Sequence, residues 1–351
     1  MANDFLKELF INEAKAALES RNSGGSGSSG EDMLQAKVNA TNSCAYLFYK
    51  YTGDNVDYIA NLDTSNVTDM KYMFNDCSKL LAIPPLNTSN VTNMYGTFYN
   101  CRELTEMPLL NTSKVTDMTN MFSYCMHLTE IPQLNTSNVT NMYGTFSNCN
   151  GLKTIPQLDT SKVTSMSSMF KDSSNLQSVP PLNTSNVTTM NEMFSGCRNL
   201  TSIPQLDTSK VTSMQSIFKG CKKLTSIPEI DLINVTSDYN TNAMFYECTG
   251  LRDVTVKNIK VNLSLYSGSY PSEALSLTTY INTIMELWNY SDGSKAPKLT
   301  ISSHFLPIIA DTYVLVTDQT TDKMTAEVCD STTEGAITLQ AFAELKGWTL
   351  A

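Results

Sequence analysis

Seven consecutive repeats of 24 residues run through the middle of this 351-residue chain. A fixed period of about 20–50 residues is the signature of a solenoid, in which no single unit can bury its own apolar face. Stacked neighbours bury a continuous core between them. The repeat therefore predicts an α/β solenoid with an extended surface, which favours binding over catalysis. The repeats open at the same apolar position: Leu62, Leu86, Leu110, Leu134, Leu158, Leu182 and Leu206.

Each repeat contains two segments with different residue patterns. The first is extended, because proline fixes its own φ and disfavours the helical region for the residue before it, as at Ile203-Pro204. The second has the spacing of one helix face, with apolar residues three, four and three positions apart. In one repeat these residues are Val211, Met214, Phe218 and Cys221. The sequence predicts a right-handed coil with short parallel strands and short helical segments.

Recurring methionine, phenylalanine and cysteine columns indicate a core rather than a ligand site. Unbranched methionine fills irregular gaps between coils. Serine at residue 173 fills the one slot in the array where the column lacks cysteine, so the position accepts any small side chain. The chain has nine cysteines, an odd number, and we expect free thiols rather than disulfides. We also expect neither a metal ion nor another cofactor, because no CxxC pair or histidine cluster is present.

The unit Leu134-Asn-Thr-Ser-Asn-Val-Thr-Asn-Met-Tyr-Gly-Thr-Phe-Ser-Asn-Cys-Asn-Gly-Leu-Lys-Thr-Ile-Pro-Gln resembles the BspA-type leucine-rich repeat. It is most similar to the variant found in mycoplasma surface proteins and in gut-bacterial and phage proteins. The resemblance covers residues 62–256. It departs from the general leucine-rich pattern, since the third apolar residue follows the first by six positions and a proline intervenes. The resemblance implies a leucine-rich-repeat-like solenoid and an adhesive or particle-surface role, with no catalytic residues.

The residues before the array predict three further segments. Residues 1–20 form an amphipathic helix that either anchors or oligomerises the chain, or folds back onto the solenoid. Residues 21–30 are rich in glycine and serine, which predicts a flexible linker. Residues 31–61 are an irregular cap coil, and the solenoid itself extends over 62–261. The candidate assembly residues of the helix are Phe5, Leu6, Leu9 and Phe10.

After the array, residues 262–351 predict a small α/β C-terminal cap. A helix is expected over 275–290 and another over 338–346, with strands over 298–303, 313–317 and 324–329. This end is similar to the tails of repeat proteins encoded in phage and prophage genomes.

Charge and motifs exclude several classes of function. A net charge of −10 with no basic run argues against nucleic acid, because backbone binding needs clustered lysine and arginine. No apolar run is long enough to span a membrane, and Lys7 and Glu8 interrupt any secretory signal. His127 occupies a variable slot, which predicts a solvated position. No catalytic motif is present, so we do not expect an enzyme.

Tyrosines occupy variable positions in the first half of the array. Exposed tyrosine beside asparagine and serine can stack on sugars, hydrogen-bond to them, or contact proteins. Scattered surface aromatics are also common without a function. The candidate ligand surface consists of Tyr72, Tyr95, Tyr99, Tyr124 and Tyr143.

Together these features predict a non-enzymatic phage virion protein, such as a tail fibre, baseplate or head decoration. It would be made in the host cytoplasm, join other virion proteins through its N-terminal helix, alone or as a homo-oligomer, and display the solenoid to a host glycan or protein. The alternatives are a bacterial cell-surface adhesin and an intracellular protein-interaction scaffold.

Overall fold

The computed structural model describes residues 28–53, 56 and 60–258, together with five short strand segments between residues 263 and 338. The predicted helices over 1–20 and 275–290 lie outside the described residues, and with them Phe5, Leu6, Leu9 and Phe10. The chain divides into two compact units, residues 1–182 and 183–351. In each unit the repeats stack as successive coils, which confirms the repeat solenoid.

Backbone hydrogen bonds join each coil of the first unit to the next. The N–H groups of Met70, Tyr72 and Phe74 donate to carbonyls 23 residues further on, at 3.0, 2.9 and 2.8 Å. Single parallel β-bridges lie at the start of this segment, at one polar position of every coil. The bridges connect Ser43–Asp69, Asp69–Asn93, Asn93–Asp117, Asp117–Asn141 and Asn141–Ser165.

The segment predicted to be helical is instead a chain of tight turns, so that prediction is wrong. Its remaining N–H groups close four-residue β-turns, as from Met73 to the carbonyl of Met70 at 3.1 Å. Two residues in each coil have positive φ, for example Gly96 (56°) and Asn100 (61°), and no right-handed helix passes through that conformation. The turns nevertheless bury side chains at the predicted positions, and the predicted core is confirmed. The buried methionines are Met70, Met94, Met118, Met142, Met166, Met190 and Met214.

The Ile-Pro segment forms a regular strand only in the second unit. There β1 (Ser226–Asp231) pairs in parallel with β2 (Asp253–Lys257), with a break in register between Ile227 and Ile230. In the first unit the same segment is joined by isolated bonds, such as Thr105 N–H to the carbonyl of Leu81 at 3.0 Å. Proline removes one donor that a continuous ladder would use.

An α-helix, α1 (Ser28–Thr41), replaces the end of the predicted linker and the start of the predicted cap coil. Leu34 and Val38, four residues apart, are buried on one of its faces. The Gln35 side chain accepts a bond from Asp63 N–H at 2.7 Å and donates to the Asp63 carbonyl at 3.0 Å. These contacts hold the helix against the first repeat. The glycine- and serine-rich sequence at its start had predicted a flexible linker instead.

The remaining elements are short. A 3₁₀ helix (Asp238–Thr241) lies after the seventh repeat, where Phe245 follows Phe218 by 27 residues instead of 24. In the C-terminal region the strands over 299–300, 313–318 and 323–328 agree with the three predicted ones. The strands over 263–264 and 337–338 were not predicted, and Thr338 is extended instead of opening a helix. The cap as a domain stays a prediction. The strands are β3 (Leu263–Ser264), β4 (Leu299–Thr300), β5 (Tyr313–Asp318), β6 (Lys323–Val328) and β7 (Ile337–Thr338), with β3 and β4 parallel and β5 antiparallel to both β6 and β7.

A column of stacked phenylalanines forms the centre of the first unit. Successive ring centroids lie 5.4–5.8 Å apart and their planes are within 11° of parallel. The first ring, Phe48, comes from the coil before the first repeat. The column consists of Phe48, Phe74, Phe98, Phe122, Phe146 and Phe170.

The cysteine column is a hydrogen-bonded ladder of free thiols among the described residues. The Cys101 thiol donates to the carbonyl of Phe74, one coil earlier, at 3.1 Å. Ser173 donates in the same way to Phe146 at 2.6 Å, which explains why serine is accepted in this slot. Burial raises the pKa of the Cys101 and Cys125 thiols well above the ordinary value, so these thiols stay protonated and able to donate.

Exchanges at Ser173 test this account of the column. Its hydroxyl also accepts a bond from the N–H of Cys149 at 3.1 Å. Valine would leave that N–H without its acceptor, and we expect Ser173→Val to lower the free energy of unfolding by about 1–3 kcal/mol. Ser173→Cys introduces the residue found at this position in the other coils and should change the free energy of unfolding by less than about 1 kcal/mol. Urea unfolding measures both; a Ser173→Val protein as stable as Ser173→Cys would contradict the ladder.

Candidate functional site

The turn chain of the first unit buries most of its side chains and leaves a few positions of each coil at the surface. Tyr95, for example, lies between the buried Met94 and the buried Gly96. Tyr72 and Tyr124 themselves have positive φ, at 55° and 64°. The surface tyrosines gather into what we call the tyrosine patch: Tyr46, Tyr49, Tyr72, Tyr95, Tyr99 and Tyr124.

Ring contacts hold the patch together. Tyr72 lies 5.0 Å from Tyr95 in an edge-to-face arrangement and 5.3 Å from Tyr46, measured between ring centroids. Tyr99 and Tyr124 lie 5.6 Å apart. Such pairs contribute about 0.5–1.5 kcal/mol each beyond the area they bury. The half-buried rings are therefore held in place before any partner arrives.

A cleft of about 380 Å³ opens within the patch and is lined by both aromatic and polar groups. The ammonium group of Lys71 lies 5.4 Å from the Tyr72 ring and 5.0 Å from the Tyr95 ring, close enough for a cation–π contact. Burial, followed by a hydrogen bond with Tyr95, raises the pKa of Tyr72, so its phenol stays neutral at physiological pH. The cleft is lined by Tyr46, Tyr49, Tyr72, Asn75, Asp76, Tyr99 and Asn120.

The structure gathers four of the five tyrosines proposed from sequence. Tyr143 is 44% exposed, and no ring pair among the described residues includes it. Tyr46 and Tyr49 were missed because the cap coil does not keep the 24-residue spacing. Tyr46 could have been found from its distance to the core phenylalanine, because it precedes Phe48 by two positions, as Tyr72 precedes Phe74.

A second surface of the first unit is a groove of about 850 Å³ along the Asn-Thr-Ser turns, which the sequence did not predict. In these turns the Asn87 side-chain oxygen accepts bonds from the N–H and hydroxyl of Ser89 at 3.1 and 2.7 Å. The Thr112 hydroxyl donates to the carbonyl of Asn135 in the next coil at 2.9 Å. The groove residues are Leu86–Ser89, Leu109–Thr112, Gln133–Ser137, Gln157 and Asp159.

Other chemistry is sparse in the part of the chain that the structure describes. His127 pairs with Glu103 of the preceding coil at 3.0 Å, and both side chains are largely exposed, as predicted for His127. No cluster of metal-ligating side chains is found among the described residues. Within the same residues, no helix combines the length and apolarity that crossing a membrane requires.

Comparison with known proteins identifies the repeat. The model of a family described as "Mycoplasma protein of unknown function, DUF285" matches residues 42–155, 103–184 and 174–264. A leucine-rich cell surface protein from Faecalibacterium prausnitzii is 17% identical, with 53% of this chain and 76% of that chain covered and a TM-score of 0.24. A leucine-rich-repeat protein from Bacteroides ovatus is 18% identical, with 67% and 81% covered and a TM-score of 0.20. No curated protein matches.

Gly96 supports the tyrosine patch, and its replacement tests the packing of the rings. A Cβ at residue 96 would lie 2.4 Å from the Cε1 of Tyr72. At Gly220, which also has positive φ, the nearest atom would be 3.7 Å away. We expect Gly220→Ala to cost about 1 kcal/mol from backbone strain alone. Gly96→Ala should cost more and shift the Tyr72 ring resonances in NMR spectra; equal costs with unshifted resonances would contradict the packing.

Proposed function

This chain belongs to the DUF285 family of mycoplasma proteins, whose unit is a BspA-type leucine-rich repeat, and from this membership we propose that it is a non-enzymatic attachment protein. Its first unit contacts a protein or glycan on another surface through the tyrosine patch. One observation carries the proposal: a cluster of touching tyrosines stands where other coils of the same unit carry threonine, serine and asparagine. Packing within the solenoid does not require them.

The chemistry of the patch suits recognition. Tyrosine offers a large apolar face and a hydroxyl group, and it loses little conformational freedom on binding because it has few rotatable bonds. Aromatic residues are enriched in the buried centres of protein interfaces. Lys71 and Asp76 add one charge of each sign beside the rings, which favours a polar partner over a lipid surface.

The place of attachment is a further part of the proposal. The chain acts at the surface of a phage particle, held to other virion proteins through residues 1–20 and assembled there as an oligomer. The resemblance of its C-terminal region to phage-encoded repeat proteins supports this. A cell-surface adhesin is the second candidate, favoured by the family's occurrence in mycoplasmas. An intracellular scaffold remains the third alternative.

Exchanges toward other coils test the patch without disturbing the core. Thr119 occupies the position of Tyr95 one coil later, and Ser123 that of Tyr99. We expect Tyr95→Thr/Tyr99→Ser to leave the solenoid folded, with its stability lowered only by the two lost ring pairs, and to weaken its binding to a panel of bacterial and mucosal epithelial cells at least tenfold, or about 1.4 kcal/mol. Tyr239→Ser, at a side chain 65% exposed in the second unit, is the control. Equal binding by the parent protein, the double variant and the control variant would contradict a binding role for the patch.

Mass spectrometry of purified phage particles tests whether the chain is a virion protein. The virion proposal predicts that the chain co-purifies with particles from a lysate. It also predicts that deletion of residues 1–20 leaves a folded solenoid that no longer joins them. A chain absent from particles but present on intact cells would favour the adhesin. Incorporation of the shortened chain would show that the helix is not the anchor.

A further inference from the structure

The groove along the Asn-Thr-Ser turns contains none of the tyrosines of the patch. We propose that it binds a neutral oligosaccharide lying along the stack of coils. This inference rests on the proposed attachment function in one respect: it names a class of ligand that the first unit would attach to. Three features of the groove point to this ligand: its polar lining groups, the exposed Leu109 and the unpaired hydroxyl of Thr88.

Side-chain amides recur along the groove once in every coil. The side-chain oxygens of Asn87, Asn111 and Asn135 each accept bonds from the serine two residues later. Among the described residues, no acceptor is found for the amide N–H groups of these three side chains. They remain as a row of donors.

Glutamines provide the complementary acceptors. The amide N–H groups of Gln133 and Gln157 donate to carbonyls of the next coil, both at 2.8 Å. Within the described part of the chain, their side-chain oxygens receive no bond. The groove therefore presents a row of free donors beside a row of free acceptors.

One exposed apolar side chain lies in the middle of the groove. At the repeat position that is glutamine at Gln133 and Gln157, the repeat that opens at Leu86 ends in Leu109, whose side chain is 75% exposed. An isolated exposed leucine needs no explanation, but here it adds an apolar wall to a groove that Leu86, Leu110 and Leu134 also line. Sugar rings have an apolar face of C–H groups, and such a wall fits that face.

One buried hydroxyl group in the lining of the groove has no partner. The equivalent threonines Thr64, Thr112 and Thr136 donate to a carbonyl of the following coil at 2.8–2.9 Å. Thr88 is only 2% exposed, and its hydroxyl has no hydrogen-bond partner. A buried hydroxyl left unpaired costs free energy. Rotation of the Thr88 side chain toward a ligand in the groove would recover that bond.

A neutral sugar fits this lining better than a peptide or an ion. Asp159, at one end, is the only ionised side chain in the groove, so a charged ligand finds no counterion along its length. Each sugar hydroxyl can donate and accept at once, which satisfies mixed rows of amide donors and acceptors. An extended peptide has one donor and one acceptor per residue, spaced about 3.3 Å apart, and does not match a row that recurs once per coil.

Calorimetric titration of the full chain with cellohexaose and chitohexaose, two uncharged hexasaccharides, tests the proposal. We expect millimolar or tighter binding of at least one. Leu109→Gln, which introduces the residue of the next two repeats, should weaken this binding at least tenfold. Gln205→Leu makes the reverse exchange at the same repeat position in the second unit and should leave binding unchanged.

A pair of threonine variants separates binding from folding. Thr88→Val should weaken sugar binding at least tenfold without lowering Tm, because the hydroxyl has no partner in the free protein. Thr112→Val should lower Tm, since its hydroxyl donates to Asn135. No binding of either hexasaccharide, binding unaffected by Leu109→Gln and Thr88→Val, or preference for a neutral extended peptide would overturn the proposal.

The outcome is separable from that of the tyrosine patch. Tyr95→Thr/Tyr99→Ser should bind the hexasaccharide normally in solution. If that variant attaches to cells with the same strength as the parent protein while Leu109→Gln loses sugar binding, the proposal for the patch is wrong and the proposal for the groove is supported. The reverse result rejects the groove alone.

Discussion

The hydrogen bonds between successive coils are the interactions on which the rest of the structure depends. A buried backbone N–H needs an acceptor, and in the turn segment every second one finds it in the next coil. This pairing sets the separation of the coils within a unit. Phenylalanine rings then stack almost parallel, and each thiol reaches the phenylalanine carbonyl of the coil before it. Both contacts persist where Phe245 follows Phe218 by 27 residues instead of 24, because its ring still stacks on Phe218 at 6.2 Å and the Cys248 thiol donates to the Phe218 carbonyl at 2.8 Å.

This arrangement divides the side chains into two groups with different freedom. Methionine, phenylalanine and cysteine are fixed by packing, and even Ser173 keeps the hydrogen bond of the column. Outward positions can change without affecting the core. In the first unit the two candidate surfaces lie where such positions depart from the repeat, with touching tyrosines on one and Leu109 beside the unpaired Thr88 on the other.

The sequence predicted the core better than the backbone that carries it. The spacing of Met94, Phe98 and Cys101 was taken for a helix face, but a chain of turns with inter-coil hydrogen bonds buries the same positions. Gly96 and Asn100 carried the missing signal, because glycine and asparagine are the residues that most readily adopt positive φ. Periodicity reports which side chains share a face and does not report the hydrogen bonds that produce it.

What the sequence determined by itself was the period, the buried columns and the free-thiol character of the cysteines, because each follows from residue types recurring at fixed positions. Tertiary structure decided which side chains from different coils meet. Tyr72 and Tyr95 touch, Thr88 loses its partner while Thr112 keeps one, and α1 packs on the first repeat through Gln35. These outcomes depend on how one coil is placed against the next, and that placement is set by hydrogen bonds between residues some 24 positions apart, which no local pattern specifies.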